Sequence, residues 1–275
     1  MENNPLVSVI MNCYNSDEFL EEAIESILNQ TYQNLEIIFW DNQSTDNSAK
    51  IVKSYNDNRI KYFYAPEFTP LGKARNLAID KTQGEWIAFL DCDDIWDREK
   101  LQISFEELSS QKSIESITLI YSKTEIIDRD GKIIGKVDKS ISGDIHDKLL
   151  IDGNFITFSS IIVQKDSLIQ NGKIDESLNY CEDLDLLLKI TKNNIALGVN
   201  KYLILYRIHS NNITSTKIYE NDIEVVKFLN KYIDDNRLNL YIRYKVFINN
   251  SYRLISLFIK LLIRKEYKKI LGIKL

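Results

Sequence analysis

The sequence predicts an α/β fold: a mostly parallel central sheet flanked by helices, followed by a helical C-terminal extension. Three observations carry this expectation. Within the first hundred residues, four short apolar runs alternate with stretches whose apolar residues recur at helical spacing. The connections between them are short enough for right-handed βαβ crossovers. After residue 235 the character changes to long helical periodicity with a basic excess.

Leu6–Met11 (LVSVIM) forms the first strand, and NCYNSDEF leaves it. Phe19, Leu20, Ala23, Ile24, Ile27 and Leu28 then share one helical face, with Ser16 or Asp17 available as N-cap. Leu35–Trp40 is the second strand and runs into Asp41-Asn42-Gln43-Ser44-Thr45-Asp46. A helix to about Tyr55 and a third strand at Ile60–Tyr64 follow. Pro70-Leu71-Gly72 opens a third helix, and Glu85–Leu90, bounded by Gly84, is the fourth strand. Asp97 is placed to cap a helix ending near Leu108. Ile117–Ile127 reads as a strand, and Asp130-Gly131 turns it into a hairpin with Lys132–Val137. A weak helical stretch surrounds Leu149, Phe158–Val163 reads as a strand, a helix opens at Glu182, and Leu203–Ile208 is a late strand. The expected division is 1–215 for the α/β domain, with halves at 1–105 and 106–215, and 216–275 for the extension.

Composition narrows the function. At 44% apolar and 27% charged residues the chain is ordinary for a globular protein. Its longest apolar run, Leu254–Ile263, is too short to span a bilayer and is broken by Lys260. The acidic start passes directly into a strand, so no signal peptide is expected. Three irregularly spaced cysteines argue for a reducing cytoplasm, and two histidines, His146 and His209, argue against a zinc site. Residues 236–275 hold ten Lys or Arg against one Glu, so the remainder is strongly acidic. No nucleic-acid platform is expected there, whereas the basic amphipathic tail suits peripheral contact with an anionic membrane.

The strand ends carry the chemistry. Asp91-Cys92-Asp93-Asp94 follows the fourth strand without a turn, and residues two apart in extended backbone face one way. Asp91 and Asp93 can therefore present paired carboxylates to Mg²⁺ or Mn²⁺, at the sheet edge where α/β folds bind ligands. The spacing alone is weak, since it recurs at Asp128/Asp130 and Asp183/Asp185, and aspartates after a strand also cap helices. Asn12, Tyr14 and Asn15 follow the first strand, and Asp41 and Asn42 the second. Neither a Gly-x-Gly-x-x-Gly fingerprint nor a Walker loop occurs.

PLVSVIMNCYN, SILNQTYQNLEIIFWDNQSTDNSAKIV and GKARNLAIDKTQGEWIAFLDCDD together resemble the N-terminal half of the family 2 inverting glycosyltransferases of the GT-A fold. The likeness covers about residues 5–105 and resumes around 155–215. It implies a nucleotide-sugar donor, expected to be UDP-linked, and a glycan or lipid-linked saccharide acceptor. On the same basis Tyr14 stacks on the base, Asp41 contacts base or ribose, and Arg75 and Asn76 lie near the donor. Asp93 becomes the direct metal ligand, with Asp91 shared between ribose and metal. Asn42-Gln43 stands where many relatives have Asp-Gly, which leaves the nucleobase open. Asn179-Tyr180-Cys181-Glu182-Asp183 resembles the Glu-Asp motif whose Asp is the general base, with Glu182 positioning it or the acceptor. The chemistry requires such a base to take the acceptor hydroxyl proton. Arg207-x-His209 resembles a late loop closing over the diphosphate, giving His209 to the metal. Cys13, Cys92 and Cys181 each sit inside one of these motifs and are expected to line one cleft. A nucleotidyltransferase would want a Gly-rich basic loop after the first strand, and a non-catalytic nucleotide- or sugar-binding module would not need both acidic pairs.

Overall fold

The computed structural model describes residues 4–112, 114–210, 212, 217–233, 235 and 238–270. Their elements run β1 (Val7–Cys13), α1 (Leu20–Leu28), β2 (Leu35–Asp41), α2 (Ser48–Ser54), β3 (Ile60–Tyr64), α3 (Leu71–Ile79), β4 (Trp86–Phe89), β5 (Ile95–Trp96) and α4 (Lys100–Ser109). There follow β6 (Ile117–Ile127), β7 (Ile133–Val137), α5 (His146–Asp152), β8 (Ile162–Gln164), α6 (Lys165–Gln170), α7 (Glu182–Thr191), β9 (Ile195–Arg207), α8 (Ile218–Ile233) and α9 (Leu240–Ile270).

One sheet of nine strands runs β3-β2-β1-β4-β8-β6-β9-β5, with β7 paired to β6. Neighbours from β3 to β4 are parallel. Beyond β4 the sheet is mixed: β8 is antiparallel to both β4 and β6, while β6 and β9 are parallel. Every residue of β2 is buried, as expected for a strand with helices on both faces. One core packs α1, α2 and α4 against the sheet through Leu20, Ile24, Val52, Leu101 and Phe105. The other gathers α3, α5, α7, α8 and α9 through Ala74, Leu149, Leu187, Phe228 and Val246.

Four local expectations change. Neither Ser16 nor Asp17 caps α1, whose N-cap is Phe19 without a side-chain cap bond. Ser16 instead donates to the Tyr14 carbonyl, and Asp17 accepts the Asn47 backbone N–H at 3.2 Å. Phe158–Val163 is not one strand, because Phe158–Ser160 coils into a 3₁₀ turn before β8. That turn spends its polar groups on β5 and the start of α4: the Ser159 and Ser160 carbonyls accept the Trp96 indole N–H and the Lys100 Nζ. The late strand begins eight residues earlier than expected, since Gly198, Asn200 and Lys201 mask its alternation. In α9, where the basic residues are expected to meet a membrane, Arg253 is half-buried and its guanidinium packs over Gly153. Lys260 and Arg264 have side chains outside the described set.

Gly84 sets the start of β4 and so the position of the loop that follows it. Its N–H donates to Ser8 Oγ at 2.8 Å, and a Cβ there would lie 2.6 Å from both the Leu6 carbonyl oxygen and the Ser8 nitrogen. Those are backbone atoms of β1, so relief requires the strands to separate. Gly84→Ala is expected to cost about 1–3 kcal/mol. Thermal denaturation would read this as a Tm drop of roughly 2–4 °C per kcal/mol.

Candidate active site

A cleft of about 980 Å³ opens at the C-terminal ends of β1, β4 and β9. That volume lies within the range of small-molecule sites. Asp91, Asp93, Glu182, Asp183, Tyr14 and His209 all line it, although the chain spreads them over almost 200 positions.

A single buried cation brings the two acidic motifs together. Arg75, 5% exposed, projects from α3. One guanidinium nitrogen donates to Glu182 Oε1 at 3.0 Å and another to Asp91 Oδ1 at 3.2 Å. The guanidinium carbon lies 4.1 Å from the centre of the Phe158 ring, a cation–π contact on its remaining face. Arg75 therefore lines the cleft, but its donors are engaged by carboxylates.

The three acids after β4 have separate environments. Asp94 turns inward and is fully buried, accepting the Ser159 hydroxyl and the Arg207 backbone N–H. Burial, followed by the charges of Asp93 and Asp91, pushes its carboxyl well up. Asp93 faces the cleft, where its Oδ2 meets His209 Nε2 at 2.9 Å and the Asn212 amide at 2.9 Å. Burial and the neighbouring charge of Asp91 raise its pKa, with the His209 hydrogen bond opposing them. Arg207 fixes this late loop: its Nε donates to the Asp93 carbonyl at 3.1 Å and its Nη2 to Glu22 at 2.7 Å.

Asp91, Asp93 and His209 offer two carboxylates and an imidazole to a divalent cation, and the raised pKa of Asp93 marks negative charge that a cation would offset. Among the described residues, no three such side chains converge closely enough to enclose an ion by themselves. The donor set thus fits a hard ion completing its shell with water and phosphate oxygens.

Across the cleft, Asp183 stands in the first turn of α7. Its Oδ1 accepts the Leu184 N–H at 2.6 Å and its Oδ2 the Asn154 amide at 2.7 Å. Burial first, then the Glu182 charge, pushes its pKa up to about 6. The preceding loop is tied to α8: one Glu224 carboxylate oxygen accepts the backbone N–H groups of Asn179, Tyr180 and Cys181 at 3.1, 2.6 and 3.0 Å. Glu182 Oε2 is buried without a hydrogen-bond partner.

At the β1 end, the Tyr14 and Phe68 rings lie 4.7 Å apart, and both are more than half or about half exposed to the cleft. Asn12 lines the cleft with a buried, unpartnered side-chain amide nitrogen. Asn15 accepts the Thr45 N–H at 2.7 Å and adopts a φ of 51°. Two expected donor residues lie elsewhere. Asp41 is fully buried behind the cleft wall, accepting the Tyr62 hydroxyl and the Ser44 N–H. Asn76 points away, donating to the Ile174 carbonyl and to Glu176. Cys13 and Cys92 line the cleft, but Cys181, the last residue of the Glu224-held loop, is buried outside it.

Sequence reading missed Phe68, Asn154, Ser159 and Asn212. Phe68 sits between two prolines, Pro66 and Pro70, and Asn212 lies three residues past His209, so both carried some signal. Asn154 and Ser159 carried none, because their roles depend on contacts 29 and 65 residues away in the chain.

Comparison with known proteins matches residues 8–162 to the Glycosyl transferase family 2 model. The chain is 34% identical over 212 residues to an uncharacterised glycosyltransferase of Rickettsia bellii, covering 76% of this chain but 29% of that longer protein. It is 30% identical over 217 residues to the putative teichuronic acid biosynthesis glycosyltransferase TuaG of Bacillus subtilis, covering 78% of this chain and 83% of TuaG. To the Escherichia coli UDP-Glc:alpha-D-GlcNAc-diphosphoundecaprenol beta-1,3-glucosyltransferase WfgD it is 32% identical over 219 residues, covering 78% and 82%. Among solved structures, S. aureus TarS 1-349 with UDP-GlcNAc superposes with a TM-score of 0.70 at 20% identity, covering 91% of this chain and 72% of that one. The mannosyltransferase PcManGT of Pyrobaculum calidifontis, with GDP-Man and Mn²⁺, gives 0.69 at 17% identity, covering 96% and 76%. The family match over more than half the chain, the relatives' names and the shared sheet lead to one conclusion: this chain belongs to glycosyl transferase family 2 and is a glycosyltransferase of the GT-A fold.

Proposed function

We propose that the chain is a metal-dependent inverting glycosyltransferase. It moves a sugar from a nucleotide donor, a UDP-sugar, to a hydroxyl of a glycan or lipid-linked saccharide in cell-surface polysaccharide synthesis. The observation that carries this reading is the tie of Asp91 and Glu182 to one Arg75, which sets a carboxylate pair for the donor opposite a carboxylate for the acceptor. The names of TuaG and WfgD support the acceptor class, and WfgD and the TarS complex support UDP.

The acceptor hydroxyl attacks the anomeric carbon from the face opposite the diphosphate. A new C–O bond forms as the bond to the phosphate oxygen breaks, and Asp183 Oδ2 or Oδ1 receives the hydroxyl proton. Tyr14 and Phe68 present aromatic faces for the base. Asp93, Asp91 and His209 would hold Mn²⁺ or Mg²⁺, which when bound supplies positive charge against the departing diphosphate. Arg75 pairs with Glu182 and Asp91 and fixes both in place.

The C-terminal helices suggest where the enzyme works. Tyr241, Tyr244, Phe247, Tyr252, Ile255 and Ile259 are all exposed along α9, while Ile242 and Val246 pack on the domain. Among the described residues no helix is long and apolar enough to cross a membrane. We assign this face to an anionic lipid surface at the inner side of the plasma membrane, because residues 236–275 hold ten Lys or Arg against one Glu. The same charge disfavours a second copy, which would face it with like charge.

Four outcomes follow. Asp183→Asn should lower turnover about 10²–10⁴-fold, while nucleotide affinity measured by calorimetry stays the same. Because only the ionised carboxylate accepts a proton, wild-type kcat/KM should rise with pH through about 6 and level off above it; a profile flat from pH 5 to 8 counts against Asp183 as base. UDP binding should need Mn²⁺ and disappear in EDTA and in Asp93→Asn, whereas equal binding without metal removes the metal from the reading. Finally, sedimentation with phosphatidylserine vesicles should be lost in a Tyr244→Glu, Ile255→Glu double variant and weakened by salt, and unchanged binding would overturn the α9 surface.

A further inference from the structure

Asn154 is the first residue after Gly153, the glycine that ends α5 with a φ of 81°. Its side-chain oxygen accepts the Ile156 backbone N–H at 2.9 Å. That bond settles which end of the amide is which. The nitrogen must then face Asp183, whose Oδ2 it meets at 2.7 Å. The segment that follows is anchored in turn: Ile156 is buried, and Phe158 lies against Arg75. Asn154 is thus an exposed residue with a fixed orientation, aimed at one oxygen of one carboxylate.

We infer that Asn154 is a positioning residue for the acceptor-side base: it orients the Asp183 carboxylate and favours its ionised form. The inference rests on the reading of Asp183 as base. An amide donor stabilises a carboxylate and offers nothing equivalent to the protonated acid oxygen, so it opposes the burial and the Glu182 charge that raise Asp183. The groups bearing on Asp183 are Glu182 and Leu184 N–H from α7, Arg75 from α3 and Asn154 from the loop after α5. Of these, only Asn154 both touches the carboxylate through its side chain and can be altered without disturbing the Arg75 ion pairs. Both carboxylate oxygens carry one donor, which leaves the remaining lone pairs directed at the cleft. Without Asn154 the carboxylate is held by the Leu184 N–H on Oδ1 alone, and the base holds its proton to higher pH.

The test is the acid limb of kcat/KM together with a direct ¹³C-carboxyl titration of Asp183, in wild type, Asn154→Ala and Asn154→Asp. A hydrogen bond to a charged group corresponds to a shift of roughly one pH unit. The limb and the titration should both move up by about that amount in Asn154→Ala. In Asn154→Asp they should move further, because two adjacent carboxylates resist joint ionisation. UDP affinity should stay within about twofold, showing that the cleft is intact. Limb and titration that stay put in both variants overturn the inference, even if turnover falls. The underlying reading fails separately, by Asp183→Asn retaining wild-type turnover.

Discussion

Arg75 is the constraint on which the cleft depends. A guanidinium that is 5% exposed has lost nearly all its hydration, and that loss is compensated only if its donors meet anions. Here they meet two, Asp91 from the end of β4 and Glu182 from the start of α7, which are otherwise unrelated in sequence. The pairing works in both directions. Removing Arg75 would leave two carboxylates facing one another, and removing either carboxylate would leave a buried cation half-paired. Since the Phe158 ring covers the guanidinium, the geometry is closed to water on that side as well.

A second buried arginine does comparable work for the opposite wall. Arg207 reaches the Asp93 carbonyl, the Arg129 carbonyl and Glu22, and its backbone N–H goes to Asp94. The end of β9 is thereby pinned to the loop after β4, which places His209 and Asn212 on Asp93. The segment is a turn rather than the extended backbone expected, closed by the Asp94 N–H on the Asp91 carbonyl at 3.2 Å, and this turn divides the acids. Asp91 and Asp93 fall on the cleft side, while Asp94 falls on the core side, where Ser159 and Arg207 satisfy it.

The parallel half of the fold was legible because each strand is short, apolar and followed by a polar cluster, and β3 was located to the residue. The Asp91/Asp93 and Glu182/Asp183 pairs were legible as motifs, and the fold brings both to one cleft. What failed shares one cause, contact between positions distant in the chain. Phe158–Ser160 has strand-like composition, yet it coils because Ser159 must reach both Asp94 and the Asp91 N–H. Asp41 looks like a free carboxylate at a strand end, but Tyr62 on the neighbouring strand claims it. Asn76 lies one residue after Arg75 on α3, and helical spacing sends the two side chains about 100° apart, one to the cleft and one to the Ile174 carbonyl.

The same physics separates the roles of the two acids in Glu182-Asp183. Both are buried or partly buried carboxylates in the first turn of α7 and share the favourable end of its dipole. Glu182 accepts from the buried Arg75 guanidinium at 3.0 Å and is committed to that ion pair. Asp183 has only neutral donors, Leu184 N–H and the Asn154 amide, and it feels the charge of Glu182. On the proposed reading, Asp183, which burial and the Glu182 charge push up to about 6, is the acid that receives the acceptor proton. One acid of the pair then serves the buried cation and the other the acceptor.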